Sequence, residues 1–193
     1  MFKKLYPTER KNSAYAIDYE KMYSKGYRGI LFDIDNTLVP HDAPVDSRAI
    51  KLLKRLRKIG FSCCFISNNG EARVASFNEK IDSKYVFDAK KPSKIGFQKA
   101  MDLCKSNQEN TIVIGDQIFT DIWGANKLGI YCILVDPMDS KEPWTIFLKR
   151  KLEKIVLSFY ERDRKKNSKE GKGKIRKDSI KKQIRANNLN MYK

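Results

Sequence analysis

At 193 residues, 41% of them hydrophobic, the chain is long enough for one domain with a sizeable core plus an appendage. No apolar run approaches the roughly 18 residues needed to span a bilayer, and no signal peptide is evident. The sequence therefore predicts a cytoplasmic protein that at most rests on a membrane face. Its formal charge of +17, from 40 Lys and Arg against 23 Asp and Glu, implies anionic partners, either nucleic acid or an acidic membrane surface.

The first predicted element is a helix near 18–25, with Asp18 as a candidate cap. A short apolar run marks a buried strand at 28–33. Residues 47–59 repeat apolar positions at three and four (Ala49, Ile50, Leu52, Leu53, Leu56, Ile59) with basic residues opposite, the pattern of an amphipathic helix. The same reasoning gives strands at 61–66, 84–87, 111–115 and 130–135, and helices near 71–80, 93–105 and 120–128. The pattern predicts one more amphipathic helix from Thr145 to Tyr160, with Leu152, Ile155, Val156 and Phe159 among lysines. Its apolar face is expected to cover the sheet, with an anionic bilayer as the alternative surface.

Strands alternating with helices predict an α/β fold, a three-layer sandwich around a parallel five-stranded sheet. After Tyr160 the chain changes character. Residues 161–193 hold 13 basic and 4 acidic side chains, a net of +9 and more than half the total excess. This segment lacks the apolar content to order itself and is expected to be disordered or marginally helical. The predicted organisation is thus a folded domain over 1–160 and a basic tail over 161–193. Cys63, Cys64, Cys104 and Cys132 form no C-x-x-C pair and are read as reduced core residues.

In open parallel sheets, sites form at the carboxyl ends of the strands, and polar clusters fall there repeatedly. The first core strand ends in Asp33-Ile34-Asp35-Asn36-Thr37. Residues two apart in extended backbone share a side, so the two carboxylates project together while Ile34 turns away. Such a pair repels itself unless a cation or an electron-poor substrate atom compensates it, which points to metal-assisted phosphoryl chemistry. The second strand ends in Ser67-Asn68-Asn69-Gly70, Lys91-Pro92 opens the helix after the third, and the fourth ends in Gly115-Asp116-Gln117-Ile118-Phe119-Thr120-Asp121. His41, the single histidine, is read as a solvent-facing loop residue.

These four stations, in this order, resemble the haloacid-dehalogenase (HAD) superfamily over about residues 28–136. Asp-Ile-Asp-Asn-Thr-Leu-Val-Pro, Ser-Asn-Asn, Lys-Lys-Pro and Gly-Asp-Gln-Ile-Phe-Thr-Asp-Ile look more narrowly like its YqeG branch, the type IIIA phosphatases. That branch is similar to the phosphatidylglycerophosphate phosphatases of mitochondria and chloroplasts. The resemblance implies a HAD-like Rossmannoid sheet and a Mg²⁺-dependent phosphomonoesterase. It also implies roles: Asp33 as nucleophile, Asp35 as general acid and base, and Asp33, the backbone carbonyl of Asp35, and Asp116 as metal ligands. Ser67 and the Asn68 amide would hold phosphate oxygens, and Lys91, rather than Lys90, would offset their charge. Thr37 would brace the first loop, and Asp121 would orient the metal's water shell or Lys91.

HAD enzymes often carry a cap inserted after the first or second motif. Only about 29 residues separate Leu38 from Ser67, and the 20 between Gly70 and Lys91 hold one helix and one short strand, so no cap domain fits. An uncovered site favours a phosphate on a large object. The expected substrate is a phosphorylated lipid headgroup, phosphatidylglycerophosphate, with peripheral contact to an anionic membrane. The alternatives are a phosphatase of nucleic-acid ends or another phosphorylated macromolecule, and an RNA- or ribosome-associated protein binding through its basic tail.

Overall fold

The computed structural model describes residues 2–139 and 151–166. Six strands form one sheet: Glu9–Lys11 (β1), Gly29–Phe32 (β2), Ser62–Ile66 (β3), Lys84–Val86 (β4), Thr111–Gly115 (β5) and Tyr131–Val135 (β6). Every pairing is parallel, and the order is β1-β6-β5-β2-β3-β4. Helices Tyr19–Ser24 (α1), Ser47–Ile59 (α2), Glu71–Asn78 (α3), Lys94–Cys104 (α4) and Trp123–Asn126 (α5) connect and cover it. A further helix, α6, spans residues 151–166.

Local chemistry fixes these boundaries. The Asp18 carboxylate accepts from Lys21 N–H at 2.9 Å and starts α1, while Asp46 accepts from Ala49 N–H at 2.7 Å and starts α2. Gly60, with φ +110°, ends α2 in the left-handed region that suits glycine. Ala49, Leu52, Leu53 and Leu56 form the buried face of α2, each leucine contributing about 1.5–3 kcal/mol by leaving water. β2 is buried at every position, as a central parallel strand covered on both faces must be.

Chain direction creates the crevice. From β2 the sheet grows outward through β3 and β4, then the chain returns across β2 to lay down β5 and β6 on its other side. Phe32 lies opposite Ile114, and Asp33 N–H extends the ladder by donating to Ile114 O at 2.9 Å. The carboxyl ends of β2 and β5 therefore lie side by side at the reversal of strand order.

Two expectations need correction. The sheet has six strands rather than five, because Glu9-Arg10-Lys11 pairs with β6. A fully charged triplet carries no alternating apolar signal, yet it is tolerated at an edge, where Arg10 pairs with Asp136 at 2.8 Å and Glu9 accepts from Tyr131 OH at 3.1 Å. The helix expected near 120–128 is a π-helical turn, Ile118–Ile122, running into the short α5.

The chain divides into two units, one through Glu153 and one beginning at Lys154. α6 continues to residue 166, into the segment expected to be disordered or marginally helical, and the first part of the 145–160 helix and the tail from 167 onward lie outside the described residues. All four cysteines are free and buried. Among the described residues, no helix is long and apolar enough to cross a membrane.

Candidate active site

The loop after β2 is shaped for reversal. Asn36 takes φ +60°, a conformation asparagine tolerates better than most residues. Its N–H donates to Val39 O at 2.7 Å, and Thr37 and Leu38 N–H groups return to Ile34 O at 3.2 and 2.9 Å. This tight turn directs Asp33 and Asp35 into a cleft of about 190 Å³, lined also by Asn36, His41, Ser67, Asn68, Asn69, Lys91, Gln117 and Thr120. His41 is a part-buried loop residue at the border of this cleft, and its Nε2 lies 3.4 Å from Asp42.

At the floor, Lys91 Nζ donates to Asp33 Oδ1 at 2.6 Å and to Asp121 Oδ1 at 2.7 Å. The Lys91 side chain is only 3% exposed, while Lys90 is on the surface. Asn68 clips the lysine backbone from both sides, accepting from Lys91 N–H at 2.6 Å and donating to Lys91 O at 3.1 Å. The peptide between Lys91 and Pro92 is cis. Asp121 also accepts from Gln117 N–H at 3.1 Å, and the π-helical turn brings it back over Gly115. A Cβ at Gly115 would overlap the Asp121 carboxylate, so glycine is required there for the close approach. Thr37 Oγ1 donates to Asp116 Oδ1 at 3.2 Å, linking the loops after β2 and β5.

Asp33, Asp116 and Asp121 are all buried and can each present an oxygen within 4.8 Å of the others. Among the described residues, one ammonium, that of Lys91, pairs directly with two of these three carboxylates, Asp33 and Asp121, in a cluster shielded from water. Burial pushes the Asp33 carboxyl well above the usual carboxylate range; Lys91 opposes this, while Asp121 and Asp116 add to it. Burial also works against the Lys91 ammonium, but Asp121 and Asp33 outweigh it and hold the lysine above its ordinary value. A divalent cation would offset what one lysine cannot. The donors are all hard oxygens, which fits Mg²⁺ or a similar ion.

Asp35 is placed differently. Its carboxylate turns from the aspartate cluster toward the opposite wall of the cleft. There it accepts from Asn69 Nδ2 at 2.6 Å, Arg73 at 2.8 Å and Asp42 N–H at 2.9 Å. Ser67, buried, accepts from Asn69 N–H at 3.1 Å, and its own N–H is anchored on Val86 O at 3.0 Å. Of the sequence-predicted site residues, Asp33, Asp35, Ser67, Asn68 and Lys91 line one cleft, while Thr37, Asp116 and Asp121 are buried and joined to it through Asp33 and Lys91. Sequence reasoning missed Arg73, the side-chain role of Asn68, and Asn69. The adjacency of Asn68 and Asn69 to Ser67 was a visible signal; Arg73 carried none beyond a basic residue in the first turns of a predicted helix.

The family described as HAD-hydrolase-like matches residues 89–145. The Bacillus subtilis protein named "Probable phosphatase YqeG" is 34% identical over 164 residues, covering 84% of this chain and 95% of the relative. An Arabidopsis thaliana protein named "Phosphatidylglycerophosphate phosphatase 1, chloroplastic/mitochondrial" is 26% identical over 154 residues, covering 73% of this chain and 44% of its own length. Among solved structures, a HAD phosphatase from Thermococcus onnurineus is 16% identical, covering 52% of this chain and 50% of that chain, with a TM-score of 0.44. On the near full-length match to the Bacillus protein, the chain belongs to the HAD family, as a phosphatase of the YqeG family.

Proposed function

We propose that the protein is a Mg²⁺-dependent phosphomonoesterase that works through an aspartyl-phosphate and acts on phosphatidylglycerophosphate at an anionic membrane surface. The observation that carries the chemistry is the Asp33 carboxylate, held by buried Lys91 at the base of a cleft whose other wall presents Asp35. Asp33 attacks phosphorus, and the bond to the alcohol oxygen breaks as Asp35 gives that oxygen a proton. Asp35 then takes a proton from water, whose oxygen attacks the phosphoryl group, releasing phosphate and restoring Asp33. Lys91, the Ser67 hydroxyl and the Asn68 amide stabilise the transferring oxygens. Asp33, Asp116 and the Asp35 backbone carbonyl would hold Mg²⁺, with Asp121 beside them. The bound ion would supply positive charge to the phosphate oxygens.

The lipid reading rests on size, charge and kinship. A cleft of about 190 Å³ admits a phosphate group but falls short of the several hundred Å³ that envelop a whole small molecule. Among the described residues no cap covers it, since only a loop, α2 and β3 lie between the first two stations. The Arabidopsis relative is named for this lipid. α6 supplies a surface suited to a bilayer: Leu152, Ile155 and Phe159 are 50%, 50% and 41% exposed and fall on one helical stripe. Lys151, Lys154, Arg162 and Lys165 flank them, as in a helix that lies in an anionic interface.

Phosphate release by the purified, Mg²⁺-loaded protein tests the reading, comparing phosphatidylglycerophosphate in mixed micelles, sugar phosphates and phosphorylated oligonucleotides. The lipid should be hydrolysed far faster than the others. Activity on oligonucleotide ends with none on the lipid would replace the lipid with nucleic acid.

A further inference from the structure

Arg73 is the basic side chain whose position the chemistry above does not explain. It projects from the first turn of α3, beyond the Ser67-Asn68-Asn69-Gly70 loop, and its side chain is 19% exposed. One of its terminal nitrogens donates at 2.8 Å both to Asp35 Oδ1 and to Ala43 O, so a single guanidinium spans the proposed proton donor and the loop after Asn36. Among the described residues its Nε is buried without a hydrogen-bond partner, and it lies 3.9 Å from Asp42 Oδ1. The charge, rather than saturation of every donor, therefore holds the residue here.

The bonds on Asp35 divide unevenly. Oδ1 accepts from Arg73 and from Asp42 N–H, which uses both of its lone pairs. Oδ2 accepts only from Asn69 among the described residues and keeps one lone pair, on a side chain that lines the cleft. Free rotation of the carboxylate would exchange the two oxygens and lose this distinction. We propose that Arg73 is a positioning residue: it locks the Asp35 carboxylate so that the open site on Oδ2 faces the oxygen of the departing alcohol. The inference rests on the reading of Asp35 as general acid.

The test compares wild type, Asp35→Asn, Arg73→Ala and Arg73→Lys on an alkyl phosphate and on p-nitrophenyl phosphate. The aryl ester departs as a stable anion and needs little proton donation, whereas an alkoxide needs it strongly. The readout is kcat/KM, which covers the steps up to departure of the alcohol and so excludes the later work of Asp35 on water. Arg73→Ala should lose about 10–100-fold on the alkyl ester and at least tenfold less on the aryl ester, the same bias as Asp35→Asn on a smaller scale. Added guanidinium should restore part of the alkyl-ester rate. Should Arg73→Ala not fold, Arg73→Lys reads the same ratio, since it keeps the charge but changes the geometry. Equal losses on both esters in the Arg73 variants, with Asp35→Asn still biased, would overturn the positioning role and leave the general acid standing. An unbiased Asp35→Asn would overturn the general acid and the inference with it.

Discussion

Replacing Lys91 by Met keeps the length of the side chain and removes its charge. The native ammonium is 3% exposed and lies 2.6 Å from Asp33 and 2.7 Å from Asp121, which are themselves largely shielded from water. Removing one partner of a buried ion pair costs about 3–5 kcal/mol, because the remaining charges are left without compensation. For a chain of this size each kcal/mol moves the melting midpoint by about 2–4 °C, so the midpoint should fall by about 6–20 °C. The loss should depend on pH. Asp33 already sits above the ordinary carboxylate range, and without Lys91 it rises further. A folded-state value above the unfolded one means that the folded protein holds more protons, so stability is present at low pH and lost as pH rises. The deficit of Lys91→Met should accordingly shrink as the pH is lowered. Adding Asp33→Asn should recover much of it. Thermal and urea denaturation in chelator-containing buffer measure these quantities. A deficit below about 1 kcal/mol, or one that grows on acidification, would refute the assignment of Lys91 as compensating charge for the cluster.

Asp33→Asn should abolish turnover yet raise the melting midpoint of the metal-free protein, since it removes a carboxylate that burial and its neighbours disfavour; an unchanged rate of phosphate release would remove the covalent mechanism. Gly115→Ala should displace Asp121 from Lys91 and cut kcat by about 10–100-fold while the protein remains folded, which circular dichroism and steady-state rates would check. Asp116→Ala should weaken Mg²⁺ binding by at least about tenfold, measured by the Mg²⁺ concentration that protects the protein against heat. Replacing Leu152, Ile155 and Phe159 by Ser should reduce sedimentation with anionic vesicles more than it reduces hydrolysis of a soluble ester, and added salt should weaken wild-type binding in the same assay.

Much of this site was legible because its parts sit where strands end. Continuous apolar runs such as Ile112 to Ile114 fit buried parallel strands, and the polar residues that follow them fall at the crevice. That logic places the loops holding Asp33, Ser67 and Asp116 at the crevice, and the family resemblance singles out these residues within them. β1 was illegible since its three charged residues gain their strand conformation from β6, not from any preference of their own. The partnership of Arg73 with Asp35 spans 38 residues and looks, in sequence, like any basic residue on a solvated helix. Asp121 reaches Lys91 only through a π-helical turn over a glycine, a geometry that spacing by 3.6 residues does not reveal.

The most direct test of the proposed chemistry is to trap the enzyme during turnover. Mg²⁺-loaded protein mixed with excess phosphatidylglycerophosphate, quenched in acid and digested, should yield a phosphorylated peptide whose label maps to Asp33. The label should disappear on treatment with hydroxylamine, as an acyl phosphate must. Phosphate release that proceeds with no label on Asp33, or with the label on another residue, would contradict the assignment of Asp33 as nucleophile.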